Sequence, residues 1–212
     1  MGINGLLPNI ETKKVHVSKY ARRIVAVDGY CWLHRGIHCC ATELALGVKT
    51  TKHLEFCLRR VAMLLHFQVR PLFVFDGGQL PAKAGEEESR RKRRADAFER
   101  GRQLLKENRQ EEARKKFAGA IDITPTMAAE LIDAFYLKWG SDAVECIVAP
   151  FEADAQLAWA TITGKAIAVL SEDSDLLAFG ATTVIYKLDQ LGNGEEITLN
   201  SILKTAPSSS TL

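Results

Sequence analysis

Five short apolar runs recur along the chain, and segments with helical periodicity separate most of them. The runs are rich in β-branched residues and lack a clean alternation of polar and apolar positions, which is typical of strands buried on both faces. They cover residues 23–27, 71–75, 145–148, 166–170 and 183–188. The order of strands and helices predicts an α/β fold: a doubly wound, mainly parallel sheet with helices on both faces.

Two of the intervening segments have clear helical patterns. Residues 51–67 place apolar side chains at helical spacing. Residues 125–139 begin with a proline in the first turn and repeat large apolar residues every four positions. Residues 191–195, Leu-Gly-Asn-Gly-Glu, predict a tight turn rather than a phosphate-binding loop. Residues 201–212 predict a frayed tail.

Residues 83–118 differ from the rest because they are highly charged and carry few apolar side chains. Glutamates precede basic residues by four positions, the order that stabilises a helix. The pairs are Glu86/Arg90, Glu87/Arg91 and Glu88/Lys92. This pattern predicts a long exposed helix, or a pair of helices, that projects from the domain.

Charge is distributed unevenly although the whole chain is almost neutral, with 28 Lys and Arg against 26 Asp and Glu. Residues 83–118 hold 13 basic and 8 acidic residues, so the remainder carries a net negative charge. A basic arm beside an acidic body suits phosphate binding next to a cation site. The basic run 90–94 has two other interpretations, a solvated helix face and a nuclear targeting signal.

The five cysteines indicate reduced thiols in a cytosolic or nuclear protein, because their number is odd and no Cys-x-x-Cys pair occurs. The first residues lack the basic and apolar regions of a signal peptide, and position 6 is not the Ser or Thr of a myristoylation motif. No apolar run approaches membrane-spanning length, so no membrane association is expected.

Carboxylates follow four of the predicted strands at the point where each strand ends. In a parallel sheet these ends lie along one edge, where α/β proteins place their sites. Two members, Glu152 and Asp154, are two residues apart and could reach one site only from the first turn of a helix. The converging set is Asp28, Asp76, Glu152, Asp154, Asp173 and Asp175.

Such a cluster needs a cation, because two carboxylates about 4 Å apart repel by on the order of 4 kcal/mol at an effective dielectric constant of about 20. Two Mg²⁺ or Mn²⁺ ions would neutralise it and could support phosphodiester hydrolysis. A single Asp after a strand is usually a helix cap or a turn residue, which is our interpretation of Asp189, but four strand ends together favour a metal site. A phosphatase of the haloacid-dehalogenase type would need a second carboxylate where Tyr30 stands.

Five segments carry motifs that are long enough to be recognised. They are Met-Gly-Ile-Asn-Gly-Leu-Leu from residue 1, Val-Asp-Gly-Tyr-Cys-Trp-Leu-His from 27, Phe-Asp-Gly-Gly-Gln-Leu-Pro from 75, Ala-Pro-Phe-Glu-Ala-Asp-Ala-Gln-Leu-Ala from 149 and Ser-Glu-Asp-Ser-Asp-Leu-Leu-Ala-Phe-Gly from 171. Together they resemble the 5′-nucleases of the exonuclease 1 and flap-endonuclease family, whose PIN-like fold carries a projecting basic helical arch.

The resemblance extends from residue 1 to about residue 200 and implies a single, incomplete nuclease domain over 1–200. The implied divisions are an XPG N-type region at 1–99, the basic helical arch at 83–118, an XPG I-type region at 138–200 and a tail at 201–212.

The resemblance also assigns roles to individual residues. The six carboxylates match the metal ligands of the family. Lys83 and Arg90 match basic residues of the arch that neutralise the scissile phosphate, and Tyr30 matches an aromatic residue that stacks on a base near the cut. Further substrate contacts are implied for Gly2 and His34. Independently of the resemblance, a projecting basic arm fits contacts to the DNA backbone, so substrate contacts are also expected for Arg91, Arg93 and Arg94. Without the resemblance, Tyr30 could be a core aromatic residue and His34 a structural histidine.

The function implied by the resemblance is that of a 5′→3′ DNA exonuclease with related flap endonuclease activity. It would use two Mg²⁺ ions, with Mn²⁺ as a substitute, on DNA with 5′ ends, nicks or flaps. Its setting would be mismatch repair in the nucleus, with repair-protein partners. The family carries one more metal-binding aspartate and a duplex-gripping helix–turn–helix element beyond residue 212. The rival interpretation is therefore a DNA-binding fragment that cuts weakly or not at all.

Overall fold

The computed structural model describes residues 10–78 and 84–205. The strands of this part are β1 (Lys13–His16), β2 (Ile24–Asp28), β3 (Arg70–Phe75), β4 (Glu145–Val148), β5 (Ala168–Leu170), β6 (Thr183–Tyr186) and β7 (Asn193–Thr198). They form one sheet in the order β1–β7–β6–β5–β2–β3–β4. The run from β6 to β4 is parallel, whereas β7 pairs antiparallel with both β1 and β6.

Helices connect the strands. They are α1 (Gly29–Ile37), α2 (Ala41–Ala45), α3 (Lys52–His66), α4 (Ala84–Lys106), α5 (Gln110–Ala118), α6 (Pro125–Trp139), α7 (Ala153–Ile162), α8 (Asp175–Ala178) and α9 (Leu199–Thr205), with a short 3-10 helix at Val17–Tyr20. None of the helices in the described ranges combines the length and apolar character needed to cross a membrane.

The continuous apolar runs are explained by a core on each face of the sheet. In β3, Phe73 and Phe75 point to the layer formed by α1, α3 and α6, while Leu72 and Val74 point to the layer that contains α7 and α8. Both faces of this strand are therefore buried, and no polar position is left in its centre. The α/β fold predicted from the sequence is confirmed.

Local signals set the helix ends where the sequence predicts them. The helix predicted over residues 125–139 forms with these bounds, and the Thr124 side chain caps it by accepting a hydrogen bond from the Met127 N–H. The helix predicted over 51–67 forms as α3, with Thr51 and Phe67 as its flanking residues. All five predicted strands form as well, with ends shifted by up to two residues.

The charged arm folds as a helix pair, one of the two forms predicted. The second helix, α5, buries Phe117 against α4, and the two helices rest on Ile37 and Ala41 of the body. Gly101 permits this contact, since a Cβ there would lie 2.7 Å from the Phe117 ring. The described side chains of α4 that join this cluster are Phe98, Leu104 and Leu105, so its preceding half is largely exposed. The predicted exposure of this helix is thus confirmed for its described side chains.

The strands β1 and β7, which form the antiparallel end of the sheet, were not predicted from the sequence. Residues 191–195 were expected to form a turn, but the turn covers 190–192 and residues 193–198 form β7. The prediction that Asp189 is a turn residue is confirmed. Its carboxylate accepts hydrogen bonds from the N–H groups of Leu191 and Asn193 at 2.8 and 2.9 Å. The expected frayed tail is also wrong in part, since residues 201–205 belong to α9.

The order of the strands reverses beside β2. From β2 the chain adds β3 and β4 on one side, and it then returns through α7 to add β5 on the other side. Val27 pairs with Leu170 of β5, and Asp28 pairs with Val74 of β3. The connecting helices diverge at such a reversal and leave a crevice at the carboxyl ends of the strands, where α/β proteins bind their ligands.

Candidate metal centre and nucleic-acid interface

Asp28 lies at this crevice, at the carboxyl end of β2. It ends β2 and caps α1, with Oδ1 accepting a hydrogen bond from the Cys31 N–H at 2.8 Å. Its second oxygen accepts a hydrogen bond from the Ser171 hydroxyl at 2.8 Å. The residue is only 8% exposed. Burial raises the pKa of Asp28, the hydrogen bonds from Cys31 and Ser171 oppose this, and the charges of Asp76 and Asp173 add to it, so that the pKa is about 6.

Asp76 follows β3 and is held next to the start of α7. Its Oδ1 accepts a hydrogen bond from the Ala153 N–H at 2.7 Å. The Gly77 N–H donates to the Phe151 carbonyl at 2.7 Å, so the two loops lie against each other. A Cβ at Gly77 would lie 1.9 Å from the Ala149 carbonyl oxygen, so only glycine allows this approach.

Glu152 and Asp154 project from the opening of α7, as their spacing requires. Glu152 is the N-cap residue of the helix and Asp154 lies in its first turn. Burial raises the pKa of Asp154 to about 7, and the charges of Asp28, Asp173, Asp76 and Glu152 contribute in that order. Asp154 is thus the point where the charges of the other strand ends combine.

Asp173 and Asp175 lie in the loop that follows β5. The Asp173 carboxylate accepts a hydrogen bond from the Asp175 N–H at 3.0 Å. The Tyr186 hydroxyl donates to the Asp173 carbonyl at 3.2 Å. Asp175 begins α8, and its charge is one of those that raise the pKa of Tyr186 after burial. The loop therefore presents Asp173 to the crevice while its backbone is attached to β6.

The donors of this crevice suit a hard divalent cation. Five carboxylates act on one another there, all of them oxygen ligands. Burial first and the neighbouring negative charges second raise the pKa values of Asp28 and Asp154, and a bound cation would offset both effects. Within residues 10–78 and 84–205, however, no three His, Cys, Asp or Glu side chains are arranged closely enough to hold an ion. The chemistry of the donors fits Mg²⁺ or Mn²⁺, although the side chains do not form a closed coordination shell.

Tyr30 and His34 both lie on α1, the helix that Asp28 caps. Tyr30 is half-buried with its ring edge-on to Phe75, and burial together with the charges of Asp76 and Asp122 raises its pKa. His34 is exposed, with its ring 5.6 Å from that of His38. Partial burial and the charge of His38 lower the pKa of His34. The tyrosine therefore belongs to the border of the acidic cluster, while the histidine faces solvent.

The arginines of α4 have mixed surroundings. Arg91 and Arg93 are exposed, and Arg91 forms an ion pair with Glu88 at 2.9 Å, three residues away. The predicted partner of Glu88 was Lys92, so that pairing is corrected. Arg94 is less exposed and forms an ion pair with Asp122 at 3.0 Å. Asp122 is also one of the charges that raise the pKa of Tyr30, so it acts electrostatically on both side chains.

Arg90 is half-buried, whereas Arg91 and Arg93 are exposed. The sequence-predicted residues Gly2 and Lys83 lie outside the described residues. All five cysteines are free thiols.

Sequence reasoning missed three residues that organise the crevice: Ser171, Glu172 and Arg35. Ser171 hydrogen-bonds to Asp28 and to the Asp173 backbone, and Glu172 forms an ion pair with Arg35 of α1 at 2.6 Å. The sequence pattern that could have identified Ser171 is a serine at the end of an apolar run, two residues before an aspartate. Serine hydroxyls in such positions often bond to the backbone two residues on.

The fold is shared with solved nucleases. The chain superimposes on the catalytic core of Rad2 in complex with DNA substrate with a TM-score of 0.63 at 22% identity, covering 93% of this chain and 52% of that one. For human GEN1 in complex with Holliday junction DNA the TM-score is 0.64 at 18% identity, with coverages of 96% and 45%. For flap endonuclease-1 of Methanococcus jannaschii it is 0.58 at 24% identity, with coverages of 92% and 62%. The molecule therefore has the 5′-nuclease fold.

Sequence comparison gives the family. The XPG N-terminal domain matches residues 1–97, and the XPG I-region matches residues 143–210. The chain belongs to the XPG family of nucleases, and within it the chain is similar to exonuclease 1.

Two vertebrate relatives illustrate the extent of this similarity. Exonuclease 1 of Danio rerio is 49% identical over 199 residues, which are 93% of this chain and 24% of the relative. Exonuclease 1 of Xenopus laevis is 47% identical over 199 residues, which are 93% of this chain and 27% of the relative. The chain thus spans about a quarter of the length of these curated relatives.

Proposed function

We propose that this chain is the N-terminal part of the catalytic domain of a divalent-cation-dependent 5′-nuclease that hydrolyses DNA phosphodiester bonds. The observation that carries the proposal is the convergence of four strand ends on Asp154, whose pKa rises to about 7 because the group is buried and because the carboxylates of the other strand ends lie near it. A site that concentrates negative charge is unsuited to a nucleic acid by itself, and a cation resolves the conflict.

Two groups of carboxylates would hold two Mg²⁺ ions, with Mn²⁺ able to replace them. Asp28, Asp76, Glu152 and Asp154 form the first group, at the ends of β2, β3 and β4. Asp173 and Asp175 form the second, after β5. When bound, the ions would supply positive charge and Lewis acidity at the phosphodiester. Support comes from the chemistry of the donors and from GEN1, which has the same fold and was solved in complex with product DNA and a Mg²⁺ ion.

The chain's own residues would bind and orient the substrate. Arg90, Arg91 and Arg93 of α4, with Lys83 before it, would neutralise phosphates near the cut. Tyr30 borders the carboxylates and would stack on a base at the cut, while Gly2 and His34 would contact the DNA end. Arg94 would contribute only if its ion pair with Asp122 opened, since that pair occupies its guanidinium in the free protein.

The biological setting would be nuclear DNA repair, with mismatch-repair proteins as partners. The substrates would be DNA with 5′ ends, nicks or flaps, degraded 5′→3′, with flap cleavage as a related activity. Support comes from the names of similar proteins, among them exonuclease 1 of several animals and the DNA damage-inducible protein DIN7 of Saccharomyces cerevisiae, which is 41% identical over 199 residues.

A second candidate function is DNA binding with little or no cutting. Within the described ranges no three potential ligands are spaced to hold an ion, and this observation favours a centre that binds metal weakly. The basic arm would still bind duplex phosphates, because it does not depend on the carboxylates.

A nuclease assay on a 5′-labelled, 5′-recessed duplex distinguishes the two functions. We expect product from the purified 212-residue protein in Mg²⁺ or Mn²⁺ and none in excess chelator. Asp154→Asn is the matched inactive control, since it removes a proposed ligand and keeps the side-chain volume. Equal product in chelator would refute the metal-dependent mechanism. DNA binding without product in either metal would establish the second function.

A further inference from the structure

Ser171 is hydrogen-bonded to two of the residues that are proposed as metal ligands. It follows β5 directly, and its N–H donates to the Ile185 carbonyl at 3.3 Å, so the residue remains attached to the sheet. The hydroxyl donates a hydrogen bond to Asp28 Oδ2 at 2.8 Å and accepts one from the Asp173 N–H at 3.1 Å. A hydroxyl is suited to this position because it can donate and accept at the same time.

The two hydrogen bonds are shielded from water because their partners are buried. Ser171 is 4% exposed and Asp28 is 8% exposed, so water does not readily replace either partner. Asp28 belongs to β2, which lies on one side of the crevice, and Asp173 belongs to the loop after β5 on the other side. The Ser171 hydroxyl oxygen therefore links β2 to the loop after β5, across the point where the strand order reverses.

The neighbouring residue attaches the same loop to two further elements. Glu172 forms an ion pair with Arg35 of α1 at 2.6 Å and accepts a hydrogen bond from the Lys187 N–H, which follows β6, at 3.1 Å. The peptide from Ser171 to Asp173 is thus fixed to β2, α1 and β6 together. Such fixation is what a centre with two ions needs, since its ligands must hold their places to within a fraction of an ångström.

We propose that Ser171 is a positioning residue whose hydroxyl sets the distance between Asp28 and Asp173, and so between the two proposed ion-binding groups. The inference rests on the proposed metal centre. Removing the hydroxyl would leave a buried carboxylate oxygen and a backbone N–H without their partner, and both ligands would then shift independently. Hydrogen-bond partners of metal ligands commonly change metal affinity by about 10- to 100-fold when they are removed.

The test is a Mn²⁺ titration, by calorimetry, of the 212-residue protein and three variants. Ser171→Ala should bind Mn²⁺ at least about 10-fold more weakly than the unaltered protein. Ser171→Thr keeps the hydroxyl and should bind within about threefold of it. Thr161→Val is the matched control. The Thr161 hydroxyl, 5% exposed, also donates once and accepts once, to the Ala158 carbonyl and from the Thr182 N–H, but it lies away from the crevice.

Thr161→Val should lower the unfolding temperature and leave Mn²⁺ affinity unchanged, which separates loss of a buried hydroxyl from loss of positioning. Should Ser171→Ala fail to fold, Ser171→Cys replaces it, because a thiol is a weak donor and acceptor. Unchanged affinity in the folded Ala or Cys variant, or a Thr variant as weak as Ala, would overturn the role of Ser171. Failure of the unaltered protein to bind Mn²⁺ would instead overturn the metal centre itself.

Discussion

Asp154 shows how the position of a residue on a helix determines its chemistry. It lies in the first turn of α7, where the helix N-terminus favours negative charge, yet its pKa is raised to about 7. Burial and four neighbouring carboxylates outweigh the helix, so the metal-free protein holds this group at a cost to its stability. A bound cation would remove this cost, so the buried cluster of carboxylates favours cation binding.

Replacing Asp154 with Asn should stabilise the metal-free protein, and the gain should grow with pH. The folded protein binds more protons at Asp154 than the unfolded chain between the unfolded pKa of about 4 and the folded pKa of about 7, so its stability falls across that window as pH rises. Asparagine does not titrate, so its contribution to stability does not change with pH. We expect a gain on the order of 1 kcal/mol above pH 7 and almost none near pH 4.

Thermal and urea unfolding in chelator at several pH values checks this prediction. Asp142→Asn, at an exposed position before β4, is the control and should show no pH-dependent gain. A variant that is less stable than the unaltered protein at pH 8 would mean that Asp154 is stabilised by its surroundings rather than repelled.

Asp173 has a structural role beside its proposed catalytic one. Its carboxylate accepts the Asp175 N–H at 3.0 Å, which holds the loop in shape. Asp173→Asn keeps an acceptor and Asp173→Ala does not, so Ala should be less stable than Asn by about 1 kcal/mol. Both should abolish metal-dependent cleavage without unfolding the protein. Unfolding measurements and the 5′-recessed duplex assay test the two parts, and cleavage by either variant would remove Asp173 from the metal centre.

At the scale of elements, the helix pair α4–α5 is a charged arm with one apolar attachment. Phe98, Leu104 and Phe117 hold it to the body, whereas the half of α4 before Phe98 makes ion pairs and contacts solvent. Solvated arginines on an anchored helix can reach phosphates at little cost in folding stability. DNA affinity should therefore respond to changes in this half while the fold does not.

Reversing Arg91 and Arg93 to Glu should weaken duplex binding for all sequences, because phosphate contacts carry no base information. The log–log salt dependence should lose about 0.9 in slope for each phosphate contact removed. Fluorescence anisotropy over a salt series measures both effects. Arg94 is left unchanged because its ion pair with Asp122 would confuse binding with folding.

Lys13 and Lys14, exposed on β1, provide the matched control of equal charge change. Their reversal to Glu should leave affinity within about threefold, apart from the general effect of net charge. Equal losses in both double variants would show that α4 has no particular contact with DNA.

At the scale of the whole molecule, the surface of α7 and α8 is unusually apolar. Trp159, Ile162 and Phe179 are 50%, 59% and 46% exposed. Among residues 10–78 and 84–205, β4 is the last strand at its end of the sheet, and its Val148 is 59% exposed. Apolar patches and unpaired strand edges favour association between copies of a protein.

We expect the 212-residue protein to self-associate at micromolar concentrations, and Ile162→Lys to reduce that association. Light scattering coupled to gel filtration measures it. Leu137→Lys is the control, since Leu137 is 91% exposed on α6, outside this patch. A monomer at every concentration, or an equal effect of both variants, would contradict the prediction.

We propose that a version extended by the further aspartate and the duplex-gripping element that the resemblance implies would have a higher kcat and a lower KM. The added ligand would complete the second ion-binding group, and the added element would bind the duplex. Both versions are compared on the 5′-recessed duplex over a range of Mg²⁺ concentrations. Equal kcat at saturating Mg²⁺ would show that Asp173 and Asp175 suffice.

The sequence by itself determined the parallel part of the sheet and the residues at its carboxyl edge. β-branched runs buried on both faces have a strong local pattern, and the proline and threonine at the start of α6 act on their own helix. The six carboxylates could be named because strand ends in a parallel sheet share one edge. These features depend on short-range order, which a sequence displays directly.

Only the tertiary structure decided the antiparallel edge and the bonds within the crevice. β7 contains Gly194, Glu195 and Glu196, which have low strand propensity, and it forms because β1 and β6 pair with it. Glu196 is 6% exposed and tolerates burial through Lys19 and the Tyr20 hydroxyl, both about 176 residues earlier in the chain. Ser171 likewise reaches Asp28 across 143 residues. Partners so distant leave no local pattern, because their energies exist only once the chain has folded.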